Sequence, residues 1–197
     1  MLYGLTIFLS AFLLFQIQPM IAKMILPWFG GSAAVWSTAL MFFQVALLAG
    51  YSYSYLLTRF VSPRHRAVVH CALLLASLLA LPAIPSEAWK PVESGAPAAR
   101  ILGLLAATIG LPYFLLSTTG PLVQAWYVAA TASPMPYRLY ALSNAGSLLA
   151  LLTFPIAFEP TMTTRAQAYS WSVLYVLFAA LCAWTALRSG SRTIPET

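Results

Sequence analysis

Residues 26–36 read LPWFGGSAAVW, an interruption between two strongly apolar runs. Pro27 disfavours further helix, Gly30 and Gly31 permit a tight turn, and Ser32 is suited to cap whatever helix follows. Trp28 and Trp36 each combine an apolar ring with a polar N–H, the pairing that suits a membrane–water interface. The stretch therefore reads as a hairpin between two membrane helices, with a share in a binding site as the competing reading.

Composition supports the membrane half of that statement. The chain of 197 residues is 61% hydrophobic and 7% charged, with ten Lys/Arg and four Asp/Glu, and its mean hydropathy is +0.83. Soluble domains carry roughly 25% charged residues, so this chain could not cover a water-facing surface. The net charge of +6 is scattered between apolar runs rather than massed, which suits topology signals and lipid headgroups and argues against a nucleic-acid partner. The opening residues have no basic stretch or small-residue cleavage site, so they read as a permanent span and not a signal peptide. Cys71 and Cys182 lie inside apolar runs and read as small buried hydrophobes.

A bilayer core of about 30 Å needs about 20 apolar residues per helix. Six runs qualify, near 2–22, 35–58, 67–84, 100–118, 138–158 and 167–187. The expected fold is thus an all-α, polytopic bundle: a six-span domain over 1–188 and a polar cytoplasmic tail over 189–197. The basic turn from Arg59 to Arg66 should face the cytoplasm by the positive-inside rule, which puts both termini inside and the 23–34 connection outside. Arg59, Arg64, Arg66, Arg138, Arg188 and Arg192 then lie inside, against Lys23, Lys90, Arg100 and Arg165 outside. The segment 84–99, with Pro85, Pro91, Pro97, Glu87 and Glu93, reads as an irregular aqueous loop.

A second interruption, residues 111–126 (LPYFLLSTTGPLVQAW), echoes the first. Its marks are Pro112, Gly120 and Pro121, as Pro19, Pro27, Gly30 and Gly31 mark the first span. Proline breaks in the first and fourth of six spans suggest two inverted three-helix repeats, the arrangement in which broken helices form a transporter's site. Gln16, Gln18, Gln44 and Asn144 lie inside spans, and Thr118, Thr119 and Gln124 flank the second break. Each amide is costly in hydrocarbon unless hydrogen-bonded, so all are expected to face the bundle interior, in an interhelical network or a ligand site. Ala46, Gly50 and Ser54, and likewise Gly146 and Ala150, recur every four residues and read as close helix-packing rows within the chain, or as a dimer seam. His70 has no paired ligand in the sequence, and no metal site is expected; nor is any nucleophile–base pair, so an enzyme is not expected. Lys23 and Arg138 are placed to snorkel to headgroups.

Three segments carry a resemblance: Pro27-Trp28-Phe29-Gly30-Gly31-Ser32, Ser117-Thr118-Thr119-Gly120-Pro121 and Tyr140-Ala141-Leu142-Ser143-Asn144. With their surroundings, from about Leu5 to Trp184, they resemble the amino-terminal membrane region of bacterial fused major-facilitator-like/spermidine-synthase-like proteins. The resemblance implies a multi-pass protein of the bacterial inner membrane. Proteins of that kind typically continue into a soluble aminopropyltransferase-like domain; its strand–glycine–helix unit and carboxylates do not occur in these residues. The expected function is a non-catalytic membrane subunit that scaffolds or anchors a larger complex, its partners being the lipid bilayer and other membrane subunits or a second copy. The alternatives are a half-size transporter of a neutral or lipid-like molecule, and a membrane partner of a separate aminopropyltransferase-like protein. A polyamine cargo fits poorly, because there is no Asp and Glu159 sits at a span end. The apolar, aromatic faces would accept a lipid, quinone or carotenoid pigment equally well, so no cofactor is assigned.

Overall fold

A computed structural model describes residues 1–91, 97–131 and 137–190, without the side chains of Pro63, Arg64 and Gly190. Six helices and no strand occur among them. They are α1 Leu2–Phe29, α2 Ala33–Phe60, α3 Pro63–Ser77 with a 3-10 turn to Ala80, α4 Pro97–Thr131, α5 Tyr137–Thr161 and α6 Thr164–Gly190. Five of these are long and apolar enough to cross a membrane. The exception is α3. Its apolar stretch His65–Ala80 is shorter than the expected 67–84 run requires, because the chain leaves the helix at Leu81 and meets Pro82 and Pro85, which cannot donate to a helical ladder.

The opening stretch forms the expected hairpin. Gly30 ends α1 at φ 83°, a conformation open to glycine, and its N–H donates to the Leu26 carbonyl at 2.8 Å. Ser32 caps α2, accepting from the Val35 N–H at 3.4 Å. Pro27, however, lies within the last turn of α1, so glycine and not proline stops the helix.

The other expected breaks are continuous helix, which corrects the reading of Pro19, Pro112, Gly120 and Pro121 as helix breaks. Pro19 lies inside α1, and α4 runs through Pro112, Gly120 and Pro121, well past the expected end near 118. A π-helical stretch, Ala106–Gly110, sits just ahead of Pro112, and a second, Phe154–Phe158, encloses Pro155. Widened turns of this kind relieve the hydrogen bond a proline removes. The polar tail also begins later than expected. Helix α6 continues to Gly190, and residues 191–197, Arg192 included, lie outside the described residues, as does the 92–96 part of the long loop.

Helices α1 and α4 form the centre of the bundle. They touch each other, α5 packs along α1, α2 packs along α4, and α3 pairs with α6, which also lies on α1. In both central helices 61% of the span is buried, against 22% in α2 and 17% in α5. The small-residue rows explain the close approaches. A Cβ on Gly50 would collide with the Ser117 hydroxyl of α4, and one on Gly146 would stand 2.6 Å from the Phe8 carbonyl oxygen of α1. Ser54 and Ala150 continue these rows in buried positions, and Ala46 is half-buried. Both rows thus serve packing within the chain. The turn joining α2 to α3 is tied by Arg66, whose guanidinium donates to the Val61 and Thr58 carbonyls left open at the end of α2.

Substituting Gly146 with Val should destabilise the bundle by roughly 1–3 kcal/mol through overpacking against fixed backbone. Gly120→Ala, where nothing lies within 4 Å, should be neutral or slightly stabilising. Denaturant unfolding in mixed micelles checks both; equal effects would contradict the packing described.

Candidate functional site

The polar residues singled out in the sequence fall into two groups. Gln16, Thr118 and Thr119 are buried in the bundle, while Gln18 and Gln124 are half-buried. Gln44 and Asn144 are exposed on the outer faces of α2 and α5. That corrects the expectation that every amide turns inward. The cause is helical geometry: residues two apart lie about 200° apart around a helix. With Ala46 and Gly50 packed on α4, Gln44 must point away, and Gly146 and Ala150 impose the same on Asn144.

The inward group is largely satisfied by protein. Gln18 Nε2 donates to the Tyr113 hydroxyl at 3.1 Å, joining the two central helices one residue before Pro19. Thr118 and Thr119 donate to the Leu115 carbonyl of their own helix at 2.8 and 2.9 Å. Pro121 removes the backbone donor that would meet the Ser117 carbonyl. Around that point Ser117 Oγ donates to the Phe114 carbonyl, 2.6 Å away, and Ser54 Oγ lies 3.1 Å from the Thr118 carbonyl and 2.8 Å from that of Gly50. These groups therefore lace α2 to α4 and do not line an open site.

Gln16 instead meets a residue the sequence reading missed. It lines a small cavity of about 10 Å³ with Gln167, Trp171, Phe154 and Phe158, room for about one water. Gln167 Nε2 donates to the Phe158 and Met162 carbonyls at 3.2 and 3.0 Å, while its Oε1 is buried without a partner. Gln167 opens the apolar run 167–187, at a span edge where polar residues draw no notice.

A second unforeseen cluster surrounds His70. The ring is fully buried between Tyr53, 6.1 Å away by centroids and stacked, and Trp126, 5.8 Å away and edge-on. Its Nε2 lies 3.5 Å from Cys182 Sγ, whereas Nδ1 and the Tyr53 hydroxyl are buried without partners. Nearby, the Tyr175 and Ser77 hydroxyls are 2.7 Å apart. No three His, Cys, Asp or Glu side chains converge as metal ligands among the described residues. A Cys and a His 112 residues apart leave no spacing signal in the sequence.

Grooves also open on the surface among the described residues. One, of about 400 Å³, lies on α1 between Trp36 of α2 and Phe154 of α5, and is lined by Pro19, Lys23, Leu26, Pro27 and Glu159. Lys23, expected at the headgroups, is paired with Glu159 at 2.9 Å across α1 and α5. Another, of about 1030 Å³, lies at the opposite end among the start of α1, Tyr127 and the start of α5, where Arg138 is exposed at its edge; it borders residues 132–136, outside the described residues. No family model, curated protein or solved structure matches the chain.

The Gln18–Tyr113 bond should be worth about 0.6 kcal/mol, and no more than about 1.7. A double-mutant cycle with Gln18→Leu and Tyr113→Phe, read by unfolding in micelles, should return coupling of that size; additive single effects would contradict the bond.

Proposed function

We propose that this chain is a non-catalytic integral membrane module that builds or anchors a larger complex. The observation that carries the reading is the exposure of Gln44 and Asn144 on α2 and α5, the least buried helices long enough to cross a bilayer. In hydrocarbon an amide facing outward lacks any hydrogen-bond partner. A second protein surface supplies one, as acyl chains cannot. The inward polar groups, bonded to their own helices and neighbours, support the same reading over a solute pathway.

In this proposal six helices cross the inner membrane of a bacterium, with α3 the shortest and both termini cytoplasmic. The basic turn 59–66 supports that orientation. In one respect the chain's halves match: α5 on α1 corresponds to α2 on α4, although α6 lies on α1 more extensively than α3 on α4. That match, with amides and small residues at 44, 46 and 50 matched by 144, 146 and 150, supports two inverted three-helix repeats. The likeness to the membrane region of the fused major-facilitator-like/spermidine-synthase-like proteins points to the same class of module. A second reading is a half-size carrier of a neutral or lipid-like solute. It is favoured by the groove on α1, which carries Pro19 and Pro27 on one wall and the Lys23–Glu159 pair at its edge.

Mild extraction from native membranes should recover the chain in an assembly of constant stoichiometry, and Gln44→Leu with Asn144→Leu should loosen that assembly without lowering abundance. Recovery as a lone monomer after in-membrane crosslinking would overturn the proposal. For the carrier reading, Pro19→Ala or Glu159→Gln should change vesicle uptake at equal abundance.

A further inference from the structure

We infer that the outer face of α2 is a self-association seam on which a second copy of this chain docks, Gln44 pairing with its own equivalent. This rests on the assembly reading above and names the occupant of one of its faces.

Opposite the row packed on α4, six exposed residues follow one another along α2: Ser37, Met41, Gln44, Leu48, Tyr51 and Tyr55. Their spacing is four, three, four, three and four residues, the repeat that keeps one side of a helix against a partner helix along its length. Leu48 is 67% exposed and Met41 50%, so within one copy the seam is uncovered except at Tyr55, where Arg59 lies against the ring. At 1.5 Å per residue, the 28 residues of α2 span about 42 Å, and Gln44 lies about 4 Å from the midpoint. With the helix centred in a core of about 30 Å it is about two turns inside the nearer edge and more than three inside the other, beyond the reach of headgroups or water. Asn144 lies only six residues, about 9 Å, from Arg138 at the start of α5, so the demand for a protein partner is sharper at Gln44.

The chemistry of that partner follows from symmetry. A two-fold axis along the membrane normal sets two copies of α2 side by side, parallel, with every residue opposite its own equivalent at the same depth. A carboxamide carries N–H donors and a carbonyl acceptor, so two Gln44 side chains satisfy one another in both directions with no adjustment of register. A polar residue between apolar neighbours, as Gln44 stands between Met41 and Leu48, is also the device that fixes register and copy number in parallel helix pairs. Arg59 lies on the same side of α2 as the end of the row, its guanidinium 5.7 and 5.6 Å from the Tyr55 and Phe60 ring centroids and bonded to the Tyr55 hydroxyl, so the close contact runs from Ser37 to Tyr51 and the helices part before that charge.

The test uses the full chain in liposomes of neutral and anionic phospholipid, over a dilution series of protein in lipid, with subunits counted by single-molecule photobleaching. Dimers are expected for the wild type. Gln44→Leu should weaken them about 3- to 10-fold, the range for one to two interhelical hydrogen bonds in lipid, and Gln44→Asn should restore much of the loss. In a chain lacking Cys71 and Cys182, Leu48→Cys should crosslink between copies, and Val173→Cys on the outer face of α6 should not. Dimers indifferent to Gln44→Leu, or crosslinks through Val173→Cys in place of Leu48→Cys, would overturn the seam. A chain monomeric in liposomes but held in native membranes by a different protein overturns the seam and leaves the assembly reading standing; a chain alone in both defeats both.

Discussion

Hydrocarbon offers no hydrogen bonds, and that constraint organises the molecule. Backbone groups in a span are met within their own helix except where a proline interrupts the ladder, and each polar side chain needs a partner the protein itself provides. The interior follows the rule closely. Gln18 reaches Tyr113, Ser54 reaches the backbone of α4 beside Pro121, and Gln167 meets the carbonyls where α5 gives way to α6. Prolines that would disrupt an isolated helix persist in α1 and α4 because both are buried at the centre, where neighbouring side chains and widened turns take up what the missing N–H leaves.

Much of this was legible from residues alone. The hairpin at 26–36 announced itself through Gly30, whose left-handed backbone favours glycine, and Ser32, which caps the following helix. The apolar runs marked the long helices because length and composition alone decide whether a segment can sit in a bilayer. Pro112 and Pro121 misled because local propensity was read without tertiary support: a packed helix keeps its course through proline where neighbouring groups and a widened turn take up the lost hydrogen bond. The third run misled in the other direction, since Pro82 and Pro85 follow the end of its helix, and the chain there packs as an irregular segment whose Ala83 N–H donates to Ser172.

The orientation of the amides was legible and was misread. Small residues at 46 and 50 and at 146 and 150 face a neighbouring helix, and a residue two positions earlier must then face away. Treating each polar residue singly hides that conflict; placing both patterns on one helical wheel exposes it. By contrast, nothing in the sequence could unite His70 of α3 with Cys182 of α6 and Tyr53 of α2, because their meeting depends on how three helices pack. That cluster buries two unpartnered polar atoms, the kind of site where a bundle retains internal water.

The account stands or falls on the surroundings of the bundle's outer surface. Spin labels at Val173 and Leu177 on α6 and at Leu152 on α5, all exposed, can be compared with one at Ser86 in the loop by collision with oxygen and with a water-soluble nickel chelate in lipid. The labels on α5 and α6 should relax with oxygen and be shielded from nickel, and the loop label should do the reverse. Free access of nickel to Val173 and Leu177 would contradict a bundle immersed in hydrocarbon.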